Sequence, residues 1–248
     1  MSAPASPLSL QDQEKQQAAA AALRWVRDGM VLGLGSGSTS AAFIRQLGAA
    51  VQAGLRVQGT ATSLASEALA REVGIPLVAP RRGLRFDLTV DGADELDGHL
   101  RLIKGGGGAL LREKLLETAS DYFLVVVDSS KLVPTLGRFP LPVEVVPFAL
   151  PWVLDALDAL GGAPVVRPTA NGTGDYRTDQ GNLILDCHFQ QIPDPETLAA
   201  QLQVIPGVVE HGLFLGLAKA AILVRGGEAL VLKPGEEARP AAQFTELP

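Results

Sequence analysis

The sequence predicts an α/β protein: a Rossmann-like, mainly parallel sheet with helices on both faces, plus a smaller α+β domain inserted before the C-terminal strands. Three observations predict it. Short β-branched runs alternate with helical patterns through the first half, prolines at 134, 140, 142, 147 and 151 then end that alternation, and strand character returns after Pro206-Gly207. The first helix is expected over 12–27 and the first strand over 30–34. Gly33-Leu34-Gly35-Ser36-Gly37-Ser38-Thr39-Ser40 then leads into a helix over 38–53, with Phe43, Ile44 and Leu47 as one apolar stripe. A strand over 55–60, a helix over 63–73, and strands over 75–78 and 86–90 follow, the helix starts carrying Ser or Asp as N-caps. Glycines 105–108 open a helix over 109–118, and 123–128 is a further strand.

Beyond Pro134 a helix over 152–160, a strand over 164–167, a polar turn at Asn171-Gly172-Thr173-Gly174, a strand over 183–187 and a helix over 195–203 suit a small α+β unit. The runs 208–214, 221–224 and 229–232 read as strands that rejoin the first sheet, and the polar tail after Lys233 is expected at the surface or frayed. The domain reading is therefore 1–133 with 207–248, and 134–206.

Hydrophobic residues make up 47% of the 248, enough for a sizeable core in one large domain or two small ones. No apolar run approaches the ~20 residues of a membrane span, and the first nine residues lack the pattern of a signal peptide, so the expected location is cytoplasmic. Net charge is −6 without a basic block, which argues against nucleic acid as a partner and makes any phosphate recognition local. The lone Cys187 excludes an internal disulfide and reads as a packed strand residue. His99, His188 and His211 have no metal-ligand spacing, and no nucleophile elbow is present.

What remains is a concentration of charge within 24 consecutive residues: Asp91-Gly92-Ala93-Asp94, Lys104 before Gly105-Gly106-Gly107-Gly108, and Arg112-Glu113-Lys114. The acid pair follows a strand, at the carboxyl end where open α/β sheets bind ligands. Taken alone, Asp91 and Asp94 are as well explained by a solvated turn, Glu113 by an exposed helix glutamate, and Lys131 by a surface lysine. Lys104 beside four glycines shifts the balance. Such a run suits backbone that approaches a ligand closely, with N–H groups forming an oxyanion hole and Lys104 supplying positive charge. Glu113, partly buried on the helix those glycines open, would then be a proton-abstracting base. The Gly33–Ser40 stretch fails both the dinucleotide and the P-loop fingerprints, yet its N–H groups and hydroxyls suit a phosphate at a helix start; alone, it is equally a tight turn capped by Ser38.

Five motifs in order, Gly-Leu-Gly-Ser-Gly-Ser-Thr at 33–39, Val-Asp-Gly-Ala-Asp-Glu at 90–95, Ile-Lys-Gly-Gly-Gly-Gly-Ala-Leu-Leu-Arg-Glu-Lys at 103–114, Asp-Ser-Ser-Lys at 128–131 and Phe-Pro-Leu-Pro-Val-Glu-Val at 139–145, closely resemble ribose-5-phosphate isomerase, type A. The likeness runs from about residue 12 to 232. It implies interconversion of ribose 5-phosphate and ribulose 5-phosphate in the pentose phosphate pathway, without metal or organic cofactor, by a homodimer or homotetramer. Glu113 would move the proton, Asp91 help open the sugar ring, Asp94 hold hydroxyls, and Lys104 with the amides of Gly105, Gly106 and Gly107 stabilise the enediolate. Gly92 and Ala93 complete the substrate contacts. Ser36, Gly37, Ser38, Thr39 and Lys131 match phosphate contacts, and Lys15 is a further match. The alternative is a non-catalytic sugar-phosphate-sensing domain, which needs the phosphate loop but neither Glu113 nor Lys104.

Overall fold

The structure is a computed structural model that describes residues 9–247; the reading of the first residues as lacking a leader falls largely on 1–8, outside the described residues. The first part of the chain runs α1 (Leu10–Leu23), β1 (Val31–Leu34), α2 (Gly37–Gln52), β2 (Gln58–Ala61), α3 (Leu64–Glu72), β3 (Leu88–Asp91), β4 (Glu95–Leu96), β5 (Leu102–Ile103), α4 (Leu110–Thr118) and β6 (Phe123–Asp128). Then come β7 (Leu141–Val145), α5 (Leu150–Ala159), β8 (Pro164–Val166), β9 (Leu183–Cys187), α6 (Pro195–Gln203), β10 (Val208–His211), β11 (Leu213–Phe214), β12 (Ala220–Arg225), β13 (Glu228–Leu232) and β14 (Arg239–Pro240).

All six residues of β6 are buried, because the strand is covered on both sides and pleating sends alternate side chains to opposite faces. Leu124 and Val126 pack into one core with Phe43, Ile44 and Leu47 of α2 and the small Ala18, Ala19 and Ala22 of α1. Phe123, Val125 and Val127 enter a second core with Leu110 of α4, Leu96, Leu102 and Phe214. The main sheet has the order β14-β13-β12-β6-β3-β1-β2, parallel from β12 to β2 and antiparallel at β13 and β14. The α/β fold expected from the alternation is the observed one, with a difference on the second face. There α4 shares the cover with a small sheet, β11-β5-β4.

A third sheet, β10-β7-β9-β8, is antiparallel and packs with α5 and α6 around Val143, Leu185, Val153, Leu157 and Leu202. Cys187 is buried in that core, and burial pushes its thiol up to about 12, which keeps it unreactive. Strand β7 crosses a proline-rich stretch that the sequence reading left unassigned. Pro142 fits because its carbonyl takes the Gly212 N–H just past the last β10 partner, so its missing N–H costs no ladder bond there.

Three expectations are corrected. Residues 75–78 do not form a strand; Leu77 makes an isolated bridge to Gly59 and no more. Val208–His211 pairs antiparallel with β7 in the smaller sheet and Leu213–Phe214 with β5, while β12 and β13 return to the main one. The tail lies largely at the surface, as expected, but is docked rather than frayed: β14 pairs with β13, Ala241 is buried, and Phe244 lies under the cationic ends of Lys233 and Arg239. Truncation after Lys233 is accordingly expected to lower Tm by roughly 3 °C or more, since losing about 1 kcal/mol shifts a chain of this size by that amount. A melting curve superimposable on that of the full chain would show that the docked tail adds no stability.

Candidate active site

The chain leaves β1 for β2 on one side and returns to β3 on the other, so a crevice opens at the carboxyl ends of β1, β3 and β6. The segments after those strands carry Gly35 to Thr39, Asp91 to Asp94 and Asp128 to Lys131. They enclose a cavity of about 140 Å³ lined by Lys15, Ser36, Gly37, Ser38, Thr39, Gly92, Ala93, Asp94, Lys104, Gly105, Gly106, Gly107, Glu113 and Lys131, joined by Gln11 and Asp128. Every predicted site residue is on this wall except Asp91, which stands fully buried behind it. A larger, mostly apolar groove of about 740 Å³ runs past Leu111 and Leu115 of α4, and none of the predicted residues reaches it.

The loop after β1 is prepared for an anion by what it lacks. Ser36, rather than Ser38, is the N-cap of α2, and its side chain makes no capping bond. Its hydroxyl instead meets those of Thr62 and Ser63, each at 2.8 Å, and its N–H goes to Asp91 Oδ1 at 2.9 Å. The first-turn N–H groups of α2 therefore point at the cavity uncapped, at the positive end of the helix. Lys15 and Lys131 add charge at the rim, and Glu14 anchors the Lys131 turn by accepting from the Ser129 N–H and hydroxyl. A side chain at Gly35 has no room, because its Cβ would overlap the Asp91 carboxylate and lie 2.6 Å from the Asp91 Cα.

Asp91 joins that loop to the reacting end. Its Oδ1 accepts from Ser36 N–H, from the Ser40 hydroxyl at 2.9 Å and from Gly92 N–H at 2.7 Å, while Oδ2 lies 3.0 Å from Lys104 Nζ. The Lys104 ammonium also donates to the Gly92 carbonyl at 2.6 Å and sits 3.3 Å from Glu117 and 3.7 Å from Glu113. Burial would deprotonate such a lysine, but the charges of Asp91, Glu113 and Glu117 outweigh it and hold Lys104 firmly cationic. Burial raises Glu113 to about 8 against the pull of Lys104, with Asp91 and Asp94 adding to the rise, and it pushes Glu117 up in the same way. Asp94 is also raised by burial, opposed by the Gly106 N–H that its Oδ2 accepts at 2.7 Å.

The glycine run makes a turn, closed by Gly108 N–H on the Gly105 carbonyl at 2.9 Å, with Gly105 at φ +103°, a conformation that strains any residue bearing a Cβ. Gly106 also has Asp94 Oδ1 2.5 Å from where its Cβ would stand. Glu117 was not expected at the site. It lies one helical turn beyond Glu113 on the same face of α4, so i,i+4 spacing was the available signal. Gln11 and Asp128, bonded to each other at 3.2 Å, were missed because their motifs are short. His211 is buried and pushed down to about 4 by burial and the Lys114 charge, so it is neutral, and none of the three histidines lines the cavity. No cluster of three or more metal-binding side chains occurs among the described residues.

Comparison with known proteins gives the same picture at the level of the whole chain. The family model described as "Ribose 5-phosphate isomerase A (phosphoriboisomerase A)" matches residues 58–227. A ribose-5-phosphate isomerase A of Bradyrhizobium diazoefficiens is 51% identical over 228 residues, covering 88% of this chain and 94% of its own. That of Roseiflexus castenholzii is 52% identical over 212 residues, covering 84% and 90%. Among solved structures, a D-ribose-5-phosphate isomerase in complex with phospho-erythronic acid superposes with a TM-score of 0.88 at 38% identity, over 91% of this chain and 100% of that one. The ribose 5-phosphate isomerase A of Neisseria gonorrhoeae gives 0.85 at 37% identity, over 93% and 100%.

Gly35→Ala is expected to weaken binding of inorganic phosphate about tenfold or more, because the methyl displaces the carboxylate that positions the loop. A phosphate titration followed by thermal shift measures it, and an unchanged midpoint would show that the loop absorbs the methyl.

Proposed function

The chain belongs to the ribose 5-phosphate isomerase A family, aldose–ketose isomerases that interconvert ribose 5-phosphate and ribulose 5-phosphate, and we propose how its own cavity carries out that reaction. The phosphate binds at the uncapped N-terminus of α2, through Gly37, Ser38 and Thr39, with Lys15 and Lys131. Ser36 contributes by shaping the loop, since its hydroxyl and N–H are already engaged. The sugar then extends over Gly92 and Ala93 toward Glu113. Asp94 reaches its hydroxyls directly, and Asp91 acts on ring opening through the Lys104 ammonium it touches.

In the isomerisation Glu113 removes the proton on C2 of the open aldose. The C–H electrons form the C1–C2 double bond, and negative charge moves onto the C1 oxygen, giving the enediolate. A proton passes between the two oxygens, and Glu113 returns its own to C1, leaving a carbonyl at C2. Lys104 and the Gly107 amide face the developing oxyanion, while the Gly106 amide is held by Asp94. The observation that carries the assignment is the state of Glu113: it lines the cavity, yet its buried Oε2 has no donor within hydrogen-bond distance, the Lys104 ammonium standing 3.7 Å away. Asp94, by contrast, has an oxygen occupied by the Gly106 N–H. A carboxylate with a lone pair unsatisfied and basicity raised by burial is the stronger base. The scheme uses no metal or organic cofactor, and nothing favours the sensing alternative, which would leave the Glu113–Lys104 pair without a task.

We also place the enzyme in the cytoplasm, in the non-oxidative branch of the pentose phosphate pathway, as a homodimer or homotetramer. No helix among the described residues is long and apolar enough to cross a membrane. Phe148 and Trp152, 81% and 63% exposed with ring centres 5.7 Å apart, support a face covered by another copy. For the domains we propose a catalytic unit and a smaller α+β unit, with β10 counted in the smaller one.

Glu113→Gln is expected to lower kcat by about 10² to 10⁴ while ribose 5-phosphate binding persists; turnover near that of the unaltered enzyme in a ketose-formation assay would remove it as the base. Because the ionised carboxylate is the active form and burial raises it to about 8, kcat/KM should fall as pH drops below that value. A profile flat between about pH 6 and pH 9 would contradict the raised basicity.

A further inference from the structure

Arg167 follows β8 in the smaller sheet and does not line the cavity, yet it is bonded to the loop that does. Its Nη1 donates to the Gly105 carbonyl at 2.9 Å and to the Gly106 carbonyl at 3.0 Å. The other edge of the guanidinium, Nε and Nη2, forks onto both oxygens of Asp186 in β9. Its plane lies near the Tyr176 ring, 5.9 Å from the centre, and the Tyr176 hydroxyl donates to the Gly107 carbonyl at 3.3 Å. Three consecutive carbonyls of the glycine run are thus held from outside, all by the smaller sheet and its turn.

We propose that Arg167 is a positioning residue for the isomerisation, which aims the Gly106 amide at Asp94 and the Gly107 amide at the oxyanion by gripping the carbonyls on the far side of their peptide planes. The reason is the rigidity of the trans peptide. Each C=O points opposite to the N–H across its own C–N bond, so fixing the Gly105 and Gly106 carbonyls fixes the Gly106 and Gly107 N–H groups. The first lands on Asp94 Oδ2 at 2.7 Å. The second has no protein acceptor among the described residues and belongs to a glycine on the cavity wall.

A run of four glycines has little orientation of its own, because each residue is free to adopt either sign of φ. An oxyanion hole in such a run needs an external template, and a preorganised one adds no reorganisation cost when charge develops. Arginine suits the task better than lysine, since its planar fork serves two carbonyls along one edge and a carboxylate along the other. Asp186 keeps that fork from swinging.

The inference rests on the isomerase mechanism proposed above, and kinetics on the intact protein test both. Arg167→Met, similar in length but without donors, is expected to lower kcat about tenfold or more, with KM for ribose 5-phosphate and affinity for inorganic phosphate within about threefold. Arg167→Lys, which restores one donor, should recover part of that loss. Turnover of the Met variant within about threefold of the unaltered enzyme would overturn the proposal. So would a parallel collapse of phosphate affinity, which would mark a general loss of the site. If the Met variant fails to fold by circular dichroism, Asp186→Asn decides: a kcat reduced about threefold at constant KM supports the anchor, and an unaltered kcat refutes it. An unaltered enzyme that forms no ketose would sink the isomerase mechanism itself, a failure distinct from normal turnover in the variants.

Discussion

The arrangement depends on one buried ammonium. Lys104, 2% exposed, stands among three carboxylates at 3.0, 3.3 and 3.7 Å. At an effective dielectric constant of ~20, the nearest contact is worth roughly 5 kcal/mol before desolvation is subtracted, so the cluster is stable only as a whole. Removing the lysine would leave buried anions without a counter-charge. Burial raises the proton affinity of Glu113 and Glu117, and because one cation cannot balance three anions the neighbouring carboxylates add to the rise. Three donors hold the other oxygen of Asp91. One of those donors is the backbone of Ser36, which makes the anion loop and the reacting end parts of a single rigid assembly.

The sheet explains why segments so far apart in sequence share this assembly. Parallel strands present all their carboxyl ends on one edge, and the order β6-β3-β1 puts three functional turns side by side. The smaller sheet contributes as well. Its Arg167 and Tyr176 meet the carbonyls of the glycine run, and His211 and Gly212, at the end of β10, receive Lys114 Nζ and the Lys104 N–H on their carbonyls. The smaller sheet is thus bonded to the glycine run and to α4 rather than merely adjacent to them.

Elements whose signal is local were legible in the sequence. Strand β6 is a buried apolar run, α2 carries its stripe of Phe43, Ile44 and Leu47, and β9 and α6 lie at the residues expected of them. Elements that exist through pairing were not. Strands β4 and β5 are two residues each and exist through pairing with each other and, for β5, with β11, while residues 75–78 have strand composition but find only one bridge. The tail is polar, yet β13 offers it a free edge. The same division holds at the site. Glycines, acids and lysine within one run mark chemistry by residue type, whereas Arg167 and Asp186, some sixty to eighty positions downstream, carry no mark until the fold brings their fork to the loop.

The charge cluster also bears on how the barrier is lowered in the proposed mechanism. When Glu113 accepts the substrate proton, one negative charge leaves the neighbourhood of Lys104 and another appears on the substrate oxygen. The total does not change; its location moves across the cavity. An ammonium that shared itself among carboxylates in the resting enzyme therefore gains a new partner as it loses an old one, without having to travel. Asp91 and Glu117, neither on the cavity wall, remain to hold it during the exchange. Fixed groups that meet a charge only as it develops favour the transition state over the bound sugar, and that difference, rather than tight binding, raises kcat.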